Sequence, residues 1–529
     1  MFRKPSLVSY ISVLLLVGSL AFAQAPASSD SDAEFQRGIR LAKEGNSDQA
    51  RQVLSEARRR FPSDKRFPIE LAGLSFQSKN YPEAKNLLKQ ALTLDPHDEY
   101  ATNFLASIYL LEGNLDAALL YWNRIGRPQV SDISFEPAPK TDPVLVDRTL
   151  TIAPASLLKL DAFKTSQARL QGLGVFAPVR YSLLPKADGE FDLSIRAQEK
   201  NGFGNTKLEA LLRLFRGLPY QTLYPEYFNA GHRAVNITSL LRWDSDKQRA
   251  SFAVSAPLKR NPSLRYAFSA DFRDENWVLS PDTAAALPFH SQQFSFAVAL
   301  KQVVSGKWNW QSGASVNHDS APLLTVPDLF ARGYSLQYFA GIERKLLDDP
   351  EHRVSLTARL TPTIGRNFGD SSSSFARLQS AVDLSWLPGR KVGDYEFTSR
   401  LSGGGSWGTL PFSNLFMLGA ERDNDLLLRG HVGTRDGRKG SAPMARDYLL
   451  ANLEFTRRVF NNGFVDLRLG PFLDIGRPYR TLNSQSSERW LYDPGLALKV
   501  RILGAATFTL TYGRNLHEHR NAFYVSALQ

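Results

Sequence analysis

The stretch from Asn201 to Gln529 alternates apolar and polar residues in segments of about ten residues. Successive side chains of a strand point to opposite faces, so each segment predicts a strand with one apolar and one polar face. Ten residues is also the length of a tilted strand that crosses a bilayer, and residues 201–529 have room for about sixteen such strands with their connections. The alternation is clear at Tyr266, Phe268, Ala270 and Phe272, and again at Val354, Leu356, Ala358 and Leu360.

The start of the chain favours a membrane barrel over a large soluble sandwich. Arg3 and Lys4 precede an apolar run from Leu7 to Leu20. Ala21-Phe22-Ala23 then places small residues at the two positions that signal peptidase recognises before its cleavage site. We therefore expect a secretory signal peptide over residues 1–23, since the run is too short for a comfortable membrane anchor. After it no apolar run is long enough for a spanning helix. If the mature chain spans a membrane, we expect a transmembrane antiparallel β-barrel over residues 201–529.

One segment at the start of the barrel reads in two ways. We take Leu208 to Phe215 as the first barrel strand. Leu208, Leu211, Leu212 and Phe215 would equally share one face of a helix. Sequence alone leaves the two open.

Composition and short motifs argue against an enzyme. The chain has no cysteine, which excludes thiolate metal sites, cysteine nucleophiles and disulfides. Gly404 to Gly408 fits the nucleophile-elbow pattern without a strand-to-helix context, and His517-Glu518-His519 lacks the helical spacing of a zinc site. The net charge of +12 is scattered, so it favours a membrane neighbour or a solvated surface over nucleic acid. We expect no catalytic residue, metal or cofactor.

A repeat of 34 residues precedes the barrel. Ala50, Ala84 and Ala118 recur at this period, and so do Gly38, Ala72 and Ala106. Small residues at such offsets let paired helices approach closely. The pattern resembles tetratricopeptide repeats over residues 32–128, an all-α solenoid; the alternative is an unrelated helical bundle. The resemblance implies a concave groove that binds peptides or partner proteins.

Between repeats and barrel we expect a proline-rich linker over residues 129–143 and a small α+β module over residues 144–200. Val144 to Ile152 reads as a strand, and Pro154 to Leu173 reads as a helix. The segment from Leu170 to Val179 resembles the helix-to-strand corner of a POTRA domain, the module that precedes the barrel in the BamA/TamA superfamily of outer-membrane insertases and secretion pores. The alternative is a generic α+β domain.

Strand parity and this resemblance single out one site in the barrel. Odd positions from Val465 to Ile475 are wholly apolar, so Asp474 falls on the opposite, lumenal face, where a carboxylate needs a partner. The tip Leu428-Arg429-Gly430-His431 resembles the Arg-Gly-aromatic tip of the family's sixth extracellular loop. The resemblance implies that Arg429 lies inside the barrel against the aspartate of a Phe-x-Asp-x-Gly motif. The expected loop-barrel lock comprises Arg429, Gly430, His431, Phe472, Asp474 and Gly476.

An ordinary surface loop and a strand aspartate are the alternative to the loop-barrel lock. The sequence also departs from the family pattern at two places. His431 stands where the family usually has Phe or Tyr, which puts the packing of the tip in question. The chain ends on Ser526-Ala527-Leu528-Gln529 instead of an aromatic residue, which leaves open how the last strand closes on the first.

The resemblance implies an outer-membrane protein that inserts or translocates polypeptides, with its N-terminal domains in the periplasm. Its expected partners are outer-membrane lipid, periplasmic client polypeptides and accessory periplasmic or lipoprotein subunits. Backbone groups at a POTRA edge or at the seam between first and last strands would pair with an incoming strand. The alternatives are a passive export conduit, for example for polysaccharide, and a soluble repeat scaffold with an adhesive β domain.

Overall fold

The computed structural model describes residues 29–528, apart from 188, 280–285, 321–329, 370–371, 390–392, 483–487 and 503–505. The expected signal peptide, residues 1–23, lies outside the described residues. The chain divides into two compact units: one takes in the chain up to Ser134, Ile152–Leu160 and Tyr181–Ile195, the other Phe135–Thr151, Asp161–Arg180 and Arg196–Gln529. Across the described residues, each helix is either too short or too polar to traverse a bilayer.

Six helices form the N-terminal repeat region. They are α1 (Ser29–Lys43), α2 (Ser47–Arg60), α3 (Arg66–Gln77), α4 (Tyr81–Leu94), α5 (Glu99–Leu111) and α6 (Leu115–Trp122). Consecutive helices pack in pairs, α1 on α2, α3 on α4 and α5 on α6. Ala50, Ala84 and Ala118 are fully buried, so the small residues of the 34-residue period lie where the helices touch. The expected solenoid of helix hairpins is confirmed.

We predict that Gly38→Ala destabilises the repeat region. The added Cβ would lie 2.4 Å from Leu54 Cδ2, and Leu54 is buried with 1% of its surface exposed. Overpacking costs about 1–3 kcal/mol, against a gain of about 1 kcal/mol from the better helix former. The measurement is thermal loss of the helical circular dichroism signal in the full chain.

The matched control is Gly73→Ala in α3, where a Cβ meets no atom within 4 Å. We expect this variant to melt at or above the parent temperature, because only helix propensity changes. Equal melting of the two variants would contradict the packing argument.

A small α+β module follows the repeats. Its elements are β1 (Gln129–Phe135), α7 (Pro143–Thr149), β2 (Ser156–Leu157), α8 (Leu160–Gly172), β3 (Phe176–Pro185) and β4 (Phe191–Glu199). The strands form one sheet in the order β2-β1-β4-β3. β3 is therefore an edge strand of ten residues.

Two of the predictions for this region are wrong. The expected linker, residues 129–143, begins with strand β1, which the flanking prolines concealed. Val144 to Ile152, expected as a strand, lies largely in helix α7. The Asp142 side chain accepts a hydrogen bond from Val144 N at 3.0 Å and so caps this helix. Leu145, Val146 and Thr149 are buried at helical spacing, which overrides the local strand propensity.

The rest of the chain forms a closed barrel, which confirms the expected fold class. Its wall contains fourteen strands of nine residues or more within the described residues, joined by the short strands β5 and β6. The strands that follow the module are β5 (Thr222–Leu223), β6 (Glu226–Ala230), β7 (Val235–Asp244), β8 (Lys247–Leu258), β9 (Asn261–Leu279), β10 (Leu287–Val303), β11 (Trp308–Asp319), β12 (Phe330–Ala331), β13 (Gly333–Asp349), β14 (Val354–Phe368), β15 (Ser373–Trp386), β16 (Tyr395–Gly408), β17 (Leu410–Pro411), β18 (Phe416–Met417), β19 (Thr434–Arg435), β20 (Arg438–Lys439), β21 (Met444–Asn461), β22 (Val465–Thr481), β23 (Leu491–Ile502), β24 (Ala506–Asn515) and β25 (Arg520–Leu528). Of these, β12 and β17 pair with each other in a separate two-stranded sheet.

The outer face of this wall is apolar. Large apolar side chains that a soluble protein would bury are exposed along the strands, among them Leu241, Phe252, Phe268, Phe272, Phe294, Phe296, Val316, Ile342, Leu360, Ile364, Leu401 and Leu469. They alternate with buried or polar residues that point into the barrel. A band of this kind fits acyl chains, because single exposed apolar residues are normal but a continuous belt is not.

The predicted first strand, Leu208 to Phe215, is wrong; the segment lies in helix α9 (Lys207–Phe215). Thr206 caps the helix by accepting a hydrogen bond from Glu209 N at 3.1 Å, and Glu209 pairs with Arg213 at 2.7 Å. Leu208 and Leu211 are 58% and 53% exposed, whereas Glu209 and Arg213 are buried. Helical spacing separates these two faces, which strand alternation would have mixed.

Helix α9 lies in the wall beside β6. Gly202, just before it, pairs with Phe228 of β6 by two backbone hydrogen bonds of 2.9 Å, and Leu214 O accepts from Tyr224 N at 3.0 Å. Phe203 stacks edge-on against Tyr227, with ring centroids 5.1 Å apart, and both rings are exposed. Because these rings lie outside, the apolar side of α9 continues the outer belt.

The junction between the last and first wall strands is short. β25 lies beside β5, which is two residues long. Fourteen successive antiparallel pairings lead from β5 round the wall to β25. Since fourteen reversals restore the starting direction, β5 and β25 run the same way. We call this junction, β25 with β5 and α9, the seam.

Candidate functional site

The candidate site is built on strand β22, whose even positions point into the barrel. Phe472, Asp474 and Gly476 are buried, whereas Leu469 is 44% exposed on the opposite face. This is the polarity that the alternation predicted. Asp474 has no exposed surface, so its charge depends entirely on protein partners.

The residues between β16 and β21, 409–443, fold back against this face; we call them the lumenal loop. Leu418 and Leu428 of the loop are fully buried in an apolar cluster with Phe416, Tyr448, Leu450 and Leu491. A Cβ at Gly476 would lie 3.2 Å from Leu428 Cδ1, tighter than normal packing. The glycine therefore lets the loop lie close to the wall.

Arg429 is the centre of the polar contacts. Its Nε and Nη2 donate to Asp474 Oδ2 and Oδ1 at 2.9 and 2.8 Å, a bidentate pair. Its backbone N also donates to Asp474 Oδ2 at 2.9 Å. Nη1 donates to Glu454 Oε2 at 2.5 Å, and the guanidinium lies 3.6 Å from the centre of the Phe472 ring. The structure thus brings Arg429, Phe472 and Asp474 into direct contact.

Neighbouring side chains complete this network. Asn452 Nδ2 donates to Asp474 Oδ1 at 2.8 Å and to Leu427 O at 2.6 Å, which ties the loop backbone to β21. Lys499 of β23 pairs with the second oxygen of Glu454. Arg429 therefore pairs with both Asp474 and Glu454, and Lys499 gives Glu454 a second cation, so each buried carboxylate has an opposite charge in contact.

Gly430 and His431 bind a second buried carboxylate. Gly430 N donates to Asp493 Oδ2 at 2.6 Å, and His431 Nδ1 lies 2.9 Å from the same oxygen. Asn515 Nδ2 lies 2.9 Å from His431 Nε2. A Cβ at Gly430 would fall 2.6 Å from Asp493 Cγ and 2.7 Å from Asn515 N, so only glycine fits. The histidine thus makes polar contacts where the family pattern has an aromatic ring.

Sequence reasoning missed Asp493, Glu454, Asn452 and Asn515. Asp493 lies directly opposite Asp474 in the register of β22 and β23. Its context Asp493-Pro494-Gly495 reads as a turn, which hid its place inside a strand. Gly430 N and His431 beside Arg429 are two further buried donors, and buried donors need an acceptor. This need is the signal that could have pointed to Asp493.

The lumenal loop is also anchored to the opposite part of the wall. Asp423 pairs with Arg242 of β7 at 2.7 Å and with Arg249 of β8 at 2.5 Å. Lys439 pairs with the buried Glu275 of β9 at 2.5 Å. The loop therefore spans the lumen between strands on both sides of the seam, held at each end by buried ion pairs.

Comparison with known proteins agrees with this architecture. Residues 41–90 and 75–133 match the family model of the tetratricopeptide repeat, as the spacing predicted. No curated protein sequence matches the chain. Among solved structures it is similar to CdiB from Escherichia coli, with 12% identity, 76% of each chain covered and a TM-score of 0.50. It is also similar to CdiB from Acinetobacter baumannii (13% identity, 85% of this chain, 86% of that chain, TM-score 0.44) and to BamA from Haemophilus ducreyi lacking POTRA domains 1–3 (13%, 76%, 85%, 0.42). At these identities the likeness concerns the fold alone.

Proposed function

We propose that this chain is an outer-membrane barrel that inserts or translocates polypeptides, with periplasmic repeats that recruit clients or partner subunits. The outer apolar belt supports the membrane location, and the match to tetratricopeptide repeats supports peptide recruitment in the periplasm. The resemblance to the BamA/TamA superfamily at the Arg429 tip and the Asp474 strand supports the class of activity.

The seam is the observation that carries the proposal. β25 has nine residues, whereas its neighbour β5 has two and is continued along β7 by the five residues of β6. Unpaired strand edges bind extended polypeptide by adding a strand. Because β25 and β5 run in the same direction, one incoming strand between them can be antiparallel to both. Helix α9, which occupies this part of the wall, would have to move aside.

The lumenal loop connects the two sides of the seam. Buried ion pairs fasten the loop to β22 on one side and to β7, β8 and β9 on the other. Because β22 lies on the β25 side of the seam and β7 lies on the β5 side, the loop links the two flanks of the seam across the lumen. These flanks would stay connected while an incoming strand enters between β25 and β5. A passive conduit, for example for polysaccharide, requires an open lumen, and a loop fastened across the lumen argues against it.

We test the proposal with a photoreactive group at the seam. The chain has no cysteine, so Leu211→Cys on the outer side of α9 and Leu360→Cys on β14 can each be labelled with a benzophenone maleimide. Both side chains are exposed, by 53% and 43%, and β14 lies far round the wall from the seam. In cells pulse-labelled with radioactive methionine, we expect Leu211→Cys to form transient adducts with newly made polypeptides that disappear during the chase.

Leu360→Cys is the matched control, because it faces the same environment away from the seam. We expect it to form no polypeptide adducts above background. Equal adducts at both positions, or none at Leu211→Cys in a chain that supports growth, would contradict a role for the seam.

A further inference from the structure

A cavity of about 490 Å³ inside the barrel has far more cationic than anionic side chains in its lining. Its charged lining residues are Lys200, Arg213, Arg216, Arg265, Lys301 and Glu226, five cations against one carboxylate. Gly172 and Gly174, from the helix-to-strand corner of the α+β module, also line it. None of the contacts of the lumenal loop described above uses this cavity.

Two of the five cations have carboxylate partners. Arg213 pairs with Glu209 at 2.7 Å, and Arg216 pairs with Glu226 at 2.7 Å. Burial, and secondly the neighbouring Arg213 guanidinium, lower the pKa of the Lys200 ammonium, which is the effect expected where cations gather. The cavity therefore keeps an excess of positive charge after its internal pairs are made.

Arg265 carries the strongest signal. Its side chain is buried, with 8% of its surface exposed, and no ion pair joins it to a carboxylate within the described part of the chain. One guanidinium nitrogen, Nη2, donates to Ser255 Oγ at 3.0 Å, while Nη1 is buried without a hydrogen-bond partner. A buried, unsatisfied guanidinium nitrogen is costly, so it indicates a missing acceptor.

The strand register points to the same missing acceptor. Lys301 lies directly opposite Arg265 on β10, and Gln311 lies opposite Lys301 on β11. Like charges directly opposite each other destabilise a sheet. Elsewhere in this barrel the same situation is resolved within the chain: Arg249 and Arg273 are opposite each other, and the two oxygens of Asp271 bridge them. At Arg265 and Lys301 no carboxylate of the described residues bridges the two cations; Glu343, which interacts electrostatically with Lys301, is paired with Arg359.

We propose that this cavity binds carboxylate side chains of an acidic polypeptide segment that inserts into it. Arg265, Lys301 and Gln311 form a row of donors across three strands, and Lys200 adds a fourth donor. A volume of about 490 Å³ holds a segment of ligand size, whereas a single small anion would occupy only a small part of it. The ligand class rests on the proposed function, because the polypeptide is taken to be a client.

The test is binding of fluorescein-labelled hexaglutamate to the purified full chain in detergent, followed by fluorescence anisotropy. We expect binding of hexaglutamate and none of hexaglutamine. R265Q and K301Q should each weaken hexaglutamate binding by about tenfold, because each removes a charge-assisted hydrogen bond. Lys301 is exposed, so we expect K301Q to fold as the parent does. Weaker binding by K301Q would therefore reflect the site even if R265Q had a folding defect.

The matched control is K259Q, which removes one positive charge from an exposed turn outside the cavity. We expect less than about a twofold change from it, since long-range charge is screened by salt. Equal weakening by K259Q and K301Q would overturn the site in favour of a net-charge effect. Displacement of hexaglutamate by inorganic phosphate, at an ionic strength matched with NaCl, would overturn the peptide in favour of a small anion.

The binding result is separable from the proposed function. Loss of client adducts at Leu211→Cys with intact hexaglutamate binding would contradict polypeptide transport and leave the acidic-ligand site standing. Client adducts without any hexaglutamate binding would contradict the site alone.

Discussion

An Arg429→Ala variant should largely fail to form the folded barrel. Removing the guanidinium leaves Asp474, which has no exposed surface, with two donors among the described residues, the backbone N of residue 429 and Asn452 Nδ2. Breaking one partner out of a buried pair costs about 3–5 kcal/mol, because the remaining charge stays buried. Glu454 would lose one of its two cations as well. The measurement is heat-modifiable mobility in gels, together with the urea midpoint of the folded band.

Arg435→Ala is the matched control, because Arg435 is an exposed arginine of the same loop. We expect it to fold as the parent does. Arg429→Lys should restore only part of the stability, since one ammonium cannot reproduce the bidentate contact with Asp474. Unchanged mobility and unchanged transport in Arg429→Ala would remove the role of the pinned loop.

Period-two alternation predicted the barrel and the direction of Asp474, because both depend on neighbours along one strand. Arg429 was found through the family resemblance, since nothing local connects a loop tip to a strand 45 residues later. The acceptor Asp493 was missed because its contact with Gly430 depends on the register between two strands. Pairing across a sheet is not encoded in the pattern of a single segment.

Helix α9 shows where a local pattern is ambiguous. The spacing of Leu208, Leu211 and Phe215 fits a helix, but the position in the chain favoured a first strand. The deciding contacts are the Thr206 cap and the Glu209–Arg213 pair, which bury the polar side and leave the apolar side outward. In a membrane wall this orientation is favourable, whereas in a soluble protein it would be reversed.

The prediction of a linker over residues 129–143 failed for a different reason. Pro128 and Pro137 are typical of a linker, yet the seven residues of β1 lie between them. Proline is unfavourable inside a strand, but a strand can begin or end next to a proline. A composition-based boundary therefore overlooked a short strand.

His431→Phe, which restores the residue type of the family pattern, should destabilise this barrel. His431 is buried with 7% exposed, and with Asn515 donating to its Nε2 the ring carries its proton on Nδ1 and donates to Asp493. Phenylalanine would leave Asp493, which has no exposed surface, with Gly430 N as its one donor in the described part of the chain. We expect a loss of about 2–3 kcal/mol, measured as a lower urea midpoint of the heat-resistant band.

Asp493→Asn provides the background that isolates this contact. If the histidine acts by satisfying the buried carboxylate, His431→Phe should cost much less in the Asp493→Asn chain than in the parent, since the charge that needs the donor is gone. A phenylalanine accepted without loss, or one that costs the same in both backgrounds, would mean that the tip is held by packing. The departure from the aromatic residue would then carry no energetic consequence, and Asp493 would not be the partner that selects histidine at this position.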